Sequence, residues 1–251
     1  MVDKIDINNP NKIWHFVYPY KMVEDPFGWE LKYSIRSIYK NFKGKFHITV
    51  IGDIPDWIDQ SKIRCIELNN ININAQRQTK INQKIMKATE LYDDFILMND
   101  DQYIMRTITP QELIKPRRWY NDVNTKDVKT IFKIQVANTI HQLELNGNNW
   151  RQNMVSHCPF YYESDKLKEL NKKICLTPMG KVSVVLEVAY FNYFKIPALD
   201  AKTYRIGCYG EKFTSPDGCY IFNHNEKGYL KNKQILSILQ FAFLAKSPAE
   251  K

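Results

Sequence analysis

The chain has no Gly/Ser-rich or Pro-rich stretch to act as a linker among its 251 residues, so it reads as one domain with length for a substantial core. It has no GxGxxG after its first apolar run, which removes the dinucleotide fingerprint but not the fold that carries it. It has no CxxC, and its 5 cysteines (Cys65, Cys158, Cys175, Cys208 and Cys219) are odd in number. Neither a disulfide framework nor a zinc site is expected, and the thiols read as reduced packing residues. No segment approaches the ~20 apolar residues of a membrane span, and the opening MVDKIDINNPNKIWHF has no apolar leader core. The expectation is a soluble, cytoplasmic protein with no membrane insertion.

What is present is ordinary globular composition, 44% hydrophobic and 25% charged, with a net charge of +9. Such a balance attracts polyanions, nucleic acid among them. The lysines gather at Lys40, Lys43 and Lys45, at Lys166, Lys168, Lys172 and Lys173, and at Lys227, Lys231 and Lys233. Solvated faces explain such clusters equally well.

Hydropathy alternates between two periods. Residues 13–20 (IWHFVYPY), 46–53 (FHITVIGD), 63–68 (IRCIEL) and 95–99 (FILMN) read as strands. Between them, 28–42 and 78–92 place apolar residues three or four apart, the spacing of helices. Strand–helix alternation implies an α/β fold, an open, mostly parallel Rossmann-type sheet with helices on both faces. The second half is less regular: 130–140 and 157–162 read as strands, 164–174 as a helix with a Ser or Asp cap, 182–194 as a buried helix, and 231–245 as a closing amphipathic helix.

The stretch DDFILMNDDQY, residues 93–103, carries an acidic pair on each side of an apolar run. Ligands of a parallel sheet collect at the carboxyl ends of its strands. Asp93 and Asp94 precede the strand and are expected to stay wet; Asn99, Asp100 and Asp101 follow it, on the ligand side. Adjacent carboxylates there suit a hard dication, Mn²⁺ or Mg²⁺, that is left partly open for phosphate oxygens. A solvated Asn-Asp turn is the structural alternative.

Four blocks carry a resemblance. Glu30-Leu31-Lys32-Tyr33-Ser34-Ile35-Arg36-Ser37-Ile38, Ile54-Pro55-Asp56-Trp57-Ile58, Phe95 through Asp101, and His157-Cys158-Pro159-Phe160 followed by a helix stand in the order seen in two groups. The chain resembles the Stealth family of sugar-phosphate transferases and the related small bacteriophage proteins similar to GT-A glycosyltransferases. The opening Val17-Tyr18-Pro19-Tyr20-Lys21 departs from the V-D-G-x-D-P element of Stealth and looks like the phage group. The resemblance covers most of residues 13–200 and implies a GT-A-like domain. Its nucleotide-sugar half would be residues 1–105, and its acceptor half, with the closing helix, residues 106–251.

On that resemblance, Asp101 is the first metal ligand, Asp100 the second or a sugar-hydroxyl acceptor, and Asn99 their support. Tyr18 and Lys21 lie where a UDP-sugar would be held; Lys80 and Gln83 are weaker candidates of the same kind. Arg36 would contact a phosphate or the acidic motif, or stay an exposed helix charge. His157 would contact diphosphate, acceptor or metal, or be structural. His224 would supply a late metal ligand. Glu187, interrupting an apolar segment, is either the general base of an inverting transfer or half of a buried ion pair. Asp217 in SPDG reads as a turn residue.

Three functions compete. The first is a metal-dependent glycosyltransferase moving a sugar from a nucleotide-sugar donor to a hydroxyl, with a hydroxymethylated pyrimidine in phage DNA as acceptor. The second is a Stealth-like sugar-1-phosphate transferase or a glycosyltransferase of surface polysaccharide. The third is an inactive sugar-nucleotide-binding module.

Overall fold

The computed structural model describes residues 6–22, 29–68, 76–126, 128–178, 182–209, 213–225 and 234–251. The fold is α/β with mixed sheets. The first half follows the alternation: β1 (Ile13–Tyr20), α1 (Trp29–Asn41), β2 (Lys45–Gly52), β3 (Arg64–Ile66), α2 (Arg77–Ala88) and β4 (Asp94–Leu97). β1 lies parallel to β2 and β4, β2 parallel to β3, and β8 (Phe160–Glu163) closes the edge antiparallel to β4, in the order β3-β2-β1-β4-β8.

The two faces of this sheet follow from strand periodicity. Phe16, Tyr18, Ile96 and Met98 point to the α1 side, where Leu31, Ile35 and Ile38 at helical spacing meet them. Val17, Phe95 and Leu97 point to the other side. There they are covered by α2, α4 (Ile131–Leu145), α5 (Ser164–Lys173) and α6 (Leu186–Tyr193).

The rest consists of short pieces. β5 (Gln102–Ile104) joins β10 (Arg205–Cys208) and β11 (Ile221–His224) in a small sheet ordered β10-β11-β5. The four-residue α3 (Pro110–Leu113) leads to β6 (Arg117–Asp122), which is flanked by β7 (Gln152–Asn153) and β9 (Leu199–Asp200). α7 spans Gln234–Ala242. Among the described residues, no helix is long and apolar enough to cross a membrane.

Several expectations need correction. Residues 130–140 are not a strand but the start of α4, whose buried Gln135, Val136, Thr139, Ile140 and Leu143 recur at helical spacing. Thr130 caps it, its side chain accepting from Lys133 N at 3.2 Å. α6 begins only at Leu186, because the preceding residues are strapped to α2: Asn82 Nδ2 donates to Val184 O at 2.9 Å and the Thr79 and Ser183 hydroxyls meet at 2.6 Å. The Ser164 hydroxyl bonds Tyr92 O and caps nothing. Asp94 is not wet: it is buried and paired with Lys12 at 2.6 Å. Of the lysine clusters, Lys227, Lys231 and Lys233 lie outside the described residues.

The C-terminal turn is clamped to α1. Arg36 donates from Nε and Nη2 to the two oxygens of Glu250, each at 2.7 Å, and from Nη1 to Phe243 O at 2.8 Å. Burial alone would raise Glu250, but its hydrogen bonds from Arg36 and Ser247 outweigh it and hold the carboxyl at about 2. Such depression stabilises the fold above the ordinary carboxylate range, and the contribution disappears as pH falls towards about 2. Glu250→Gln is expected to cost about 3 kcal/mol near neutral pH, measured by urea unfolding, and much less near pH 2.

Candidate functional site

The loop Met98–Asp101 leaves the carboxyl end of β4 at the point where the sheet reverses its order, with β2 and β3 on one side of β1 and β4 on the other. In open α/β sheets that crevice is the ligand site. Tyr20–Lys21 after β1 and Gly52–Asp53 after β2 end on the same edge, with Met22 N donating to Asp53 Oδ2 at 2.8 Å.

The acidic loop is held from below. Its turn closes through Asn99 N to Gln102 Oε1 at 3.0 Å, and Asn99 itself is exposed. On α1, Ser34, Ser37 and Asn41 lie three and four apart and face β5. Ser34 Oγ donates to Gln102 O at 2.6 Å, Ser37 Oγ accepts from Ile104 N at 2.9 Å, and Asn41 Nδ2 donates to Ile104 O at 2.6 Å. Tyr18 is buried, its hydroxyl 2.8 Å from Ser34 Oγ. It therefore supports the loop from within the core and does not line the crevice. The serines of the first resemblance block brace the acidic loop, while Arg36 of the same block is committed to Glu250 and takes no part in the site.

Asp100 and Asp101 each keep some accessible surface while protein surrounds them. Burial, followed for Asp101 by the charge of Asp100, pushes Asp101 up to about 8, and burial also raises Asp100. Neighbouring carboxylates in such a place share a proton near neutrality. Asp101 Oδ1 is buried with no hydrogen-bond partner.

Three cations face the pair. Arg77 acts on both carboxylates, Lys84 on Asp100 and Arg205 on Asp101. Arg77, Lys80 and Lys84 fall on one side of α2 at spacings of three and four. Lys84 is buried, its ammonium on Tyr20 O across the end of β1, and burial lowers its pKa. Gly52 makes room for it: with φ at +126°, a side chain there would be strained and would strike both Tyr20 O and the Lys84 ammonium. Lys21 is exposed and within electrostatic reach of Lys84, and Gln83 Oε1 is buried without a partner.

His157 neighbours Arg205, whose charge acts on both it and Asp101. It has φ of 52°, rare for a residue with a side chain, and is exposed yet surrounded. Burial and then Arg205 lower it to about 4, so its imidazole is neutral at physiological pH. Its ring lies 5.5 Å from that of Tyr209.

His224 is not placed as a third ligand. It is fully buried, with its ring stacked on Trp29 and Tyr103, and its Nε2 is 2.9 Å from Tyr103 Oη and 3.7 Å from Glu30 Oε1. Burial holds it near 4. Among the described residues, no three His, Cys, Asp or Glu side chains are grouped to hold a metal ion.

Glu187 lies in the first turn of α6, and the residues before it are tied to the first two turns of α2, from which Arg77 reaches the acidic pair. No ion pair engages it among the described residues. Burial raises it to about 7. Asp217 accepts from Ser215 Oγ at 2.6 Å in its turn and lines a separate cleft beside α7.

Arg77, Lys84, Arg205, Tyr209 and Asn223 are the site residues that the sequence reading missed. The i, i+3, i+7 row of cations on α2 was a usable signal. For the others the sequence holds none, since they come from strands of four residues or fewer and their ends. No protein-family model matches the chain, and no characterised protein matches it significantly in sequence. The likeness to Stealth and phage glycosyltransferases rests on the four blocks alone.

Proposed function

We propose that the protein is a GT-A-like, metal-dependent glycosyltransferase that moves a sugar from a nucleotide-sugar donor, UDP-linked by preference, to a hydroxyl acceptor. The observation that carries the reading is the half-buried Asp100–Asp101 pair at the carboxyl end of β4, with raised proton affinity and an orphaned carboxylate oxygen. Arg77, Lys84 and Arg205 do not offset the burial, so the pair still favours a further positive charge. Two carboxylates, with no third His, Cys, Asp or Glu grouped with them among the described residues, suit Mn²⁺ or Mg²⁺, which complete their shells with water and phosphate oxygens. Asp100 and Asp101 would hold the ion, which when bound offsets charge developing on the leaving nucleoside diphosphate.

The chain's own groups supply the remaining functions. Lys84, with Lys21 and Arg77, gives the diphosphate a cationic wall at the ends of β1 and β2. Asn99 and the serine-braced turn fix the loop so that little reorganisation accompanies reaction. Glu187, near 7, is matched to removing a proton from the acceptor hydroxyl, and a neutral His157 accepts or donates a hydrogen bond at the acceptor side. The net charge of +9 favours an acceptor on DNA, a hydroxymethylated pyrimidine being the chemistry that offers a hydroxyl.

The test is a donor screen with Mn²⁺, using hydroxymethylated and unmodified DNA as acceptors and mass analysis of the products. The proposal expects a hexose increment on hydroxymethylated DNA only. Absence of consumption of every nucleotide sugar with either metal refutes it.

A further inference from the structure

We infer that Arg205, held between Trp119 and Tyr209 and backed by Asn223, is a second oxyanion seat beside Asp101 that takes a phosphate group carried by the acceptor. The assignment to the acceptor rests on the transferase reading; the seat itself does not.

Arg205 is only 5% exposed, and its Nε and Nη2, the side-on fork of the guanidinium, have no hydrogen-bond partner. A buried guanidinium without a bonded anion is costly, and one with its fork unfilled is suited to two oxygens of one phosphate. Asp101 attracts it through space, yet no carboxylate bonds to it among the described residues.

The surroundings look built to hold this charge in place. The guanidinium carbon lies 5.2 Å from the Trp119 ring centre and 4.7 Å from that of Tyr209, so aromatic faces flank it. Trp119 is fixed by its Nε1 donating to Val155 O at 2.8 Å. Asn223 is fully buried, donates from Nδ2 to Tyr209 Oη, and leaves its Oδ1 unpartnered. A Cβ at Gly207 would come within 2.6 Å of Arg205 Nη2 and also strike the Tyr209 ring, so glycine is what lets both side chains cross that strand. Tyr209, whose ring lies against the guanidinium, is 36% exposed, and the proposal makes it the cover over the seat. Its displacement uncovers the fork.

The seat is distinct from the diphosphate wall. Lys84 comes from α2 and acts on Asp100, Arg205 comes from β10 and acts on Asp101, and Arg77 of α2 acts on both. The acidic pair thus has cations from two separate elements, α2 for the donor and β10 for a second anion.

The probe is inorganic phosphate, titrated by calorimetry into the full chain in metal-free buffer. Arg205→Gln is expected to weaken phosphate at least tenfold. Tyr209→Ala, which removes an exposed side chain and keeps the fold even where Arg205→Gln does not, is expected to tighten it threefold or more. Unchanged affinity in Tyr209→Ala, or in a folded Arg205→Gln, overturns the seat. Glucose 6-phosphate and a ten-nucleotide single-stranded DNA are titrated alongside. Tyr209→Ala and Arg205→Gln effects on the DNA identify a phosphodiester chain, effects on the sugar phosphate a monoester, and effects on neither overturn the proposal. Donor turnover is not part of this readout, so a failed transferase with phosphate binding intact, or the reverse, separates the two readings.

Discussion

Asp101→Asn is expected to lower sugar transfer by about 10³-fold while making the folded chain more stable at pH 8. The two effects share one cause. Asp101 holds its proton to about 8 in the folded chain, well above an ordinary carboxyl, so between ~4 and 8 the native state binds more protons than the unfolded state. Stability therefore falls as pH rises through that window, and asparagine, which carries no charge, removes the penalty. The gain should be absent near pH 4, grow with pH and reach about 1–3 kcal/mol at pH 8 in urea unfolding. A loss of stability at pH 8 would mean that Asp101 is a structural partner of Arg205 or Arg77.

Glu187→Gln is expected to lower transfer by roughly 10²–10⁴-fold while donor binding changes less than about twofold. The amide keeps the shape of the carboxyl but cannot take a proton. In the wild-type chain, activity should rise with pH through about 7 and level off above it, because the base works when deprotonated. That rising limb should vanish from the residual activity of the variant. An equal loss of donor binding and of transfer would place Glu187 in the fold or the donor wall.

Much of the first half was legible, for a definite reason. β1 and β2 concentrate branched and aromatic residues, and α1 repeats Leu31, Ile35 and Ile38 at helical spacing, so period alone separates strand from helix. The position of Asp100–Asp101 was legible too, since strand polarity put them past the carboxyl end of β4, and parallel pairing of β4 with β1 places them there. α4 was misread because its sequence, TIFKIQVANTI, is rich in β-branched residues and exposes Ile131, Phe132 and Ile134, which hides the buried stripe one turn later. Asp94 was misread because its partner, Lys12, lies 82 positions away.

The site was only half legible. Carboxylates in a fixed pattern after a strand stand out, whereas the three cations that face them, among 36 Lys and Arg residues, do not. Arg36, the arginine that the resemblance block offered, is engaged by Glu250, a contact 214 residues apart that no local pattern encodes. Arg205 acquires its character only when β10, β6 and the Cys158 loop assemble around it.

The most direct test of the central claim, that Asp100 and Asp101 bind a donor diphosphate through a divalent cation, is calorimetric titration of UDP into the wild-type chain and Asp101→Asn, each with and without Mn²⁺. The account expects UDP to bind the wild-type chain at least tenfold more tightly with Mn²⁺ than without it, and expects that gain to disappear in Asp101→Asn. UDP binding that is indifferent to Mn²⁺, or a metal-dependent gain that survives the substitution, would contradict it.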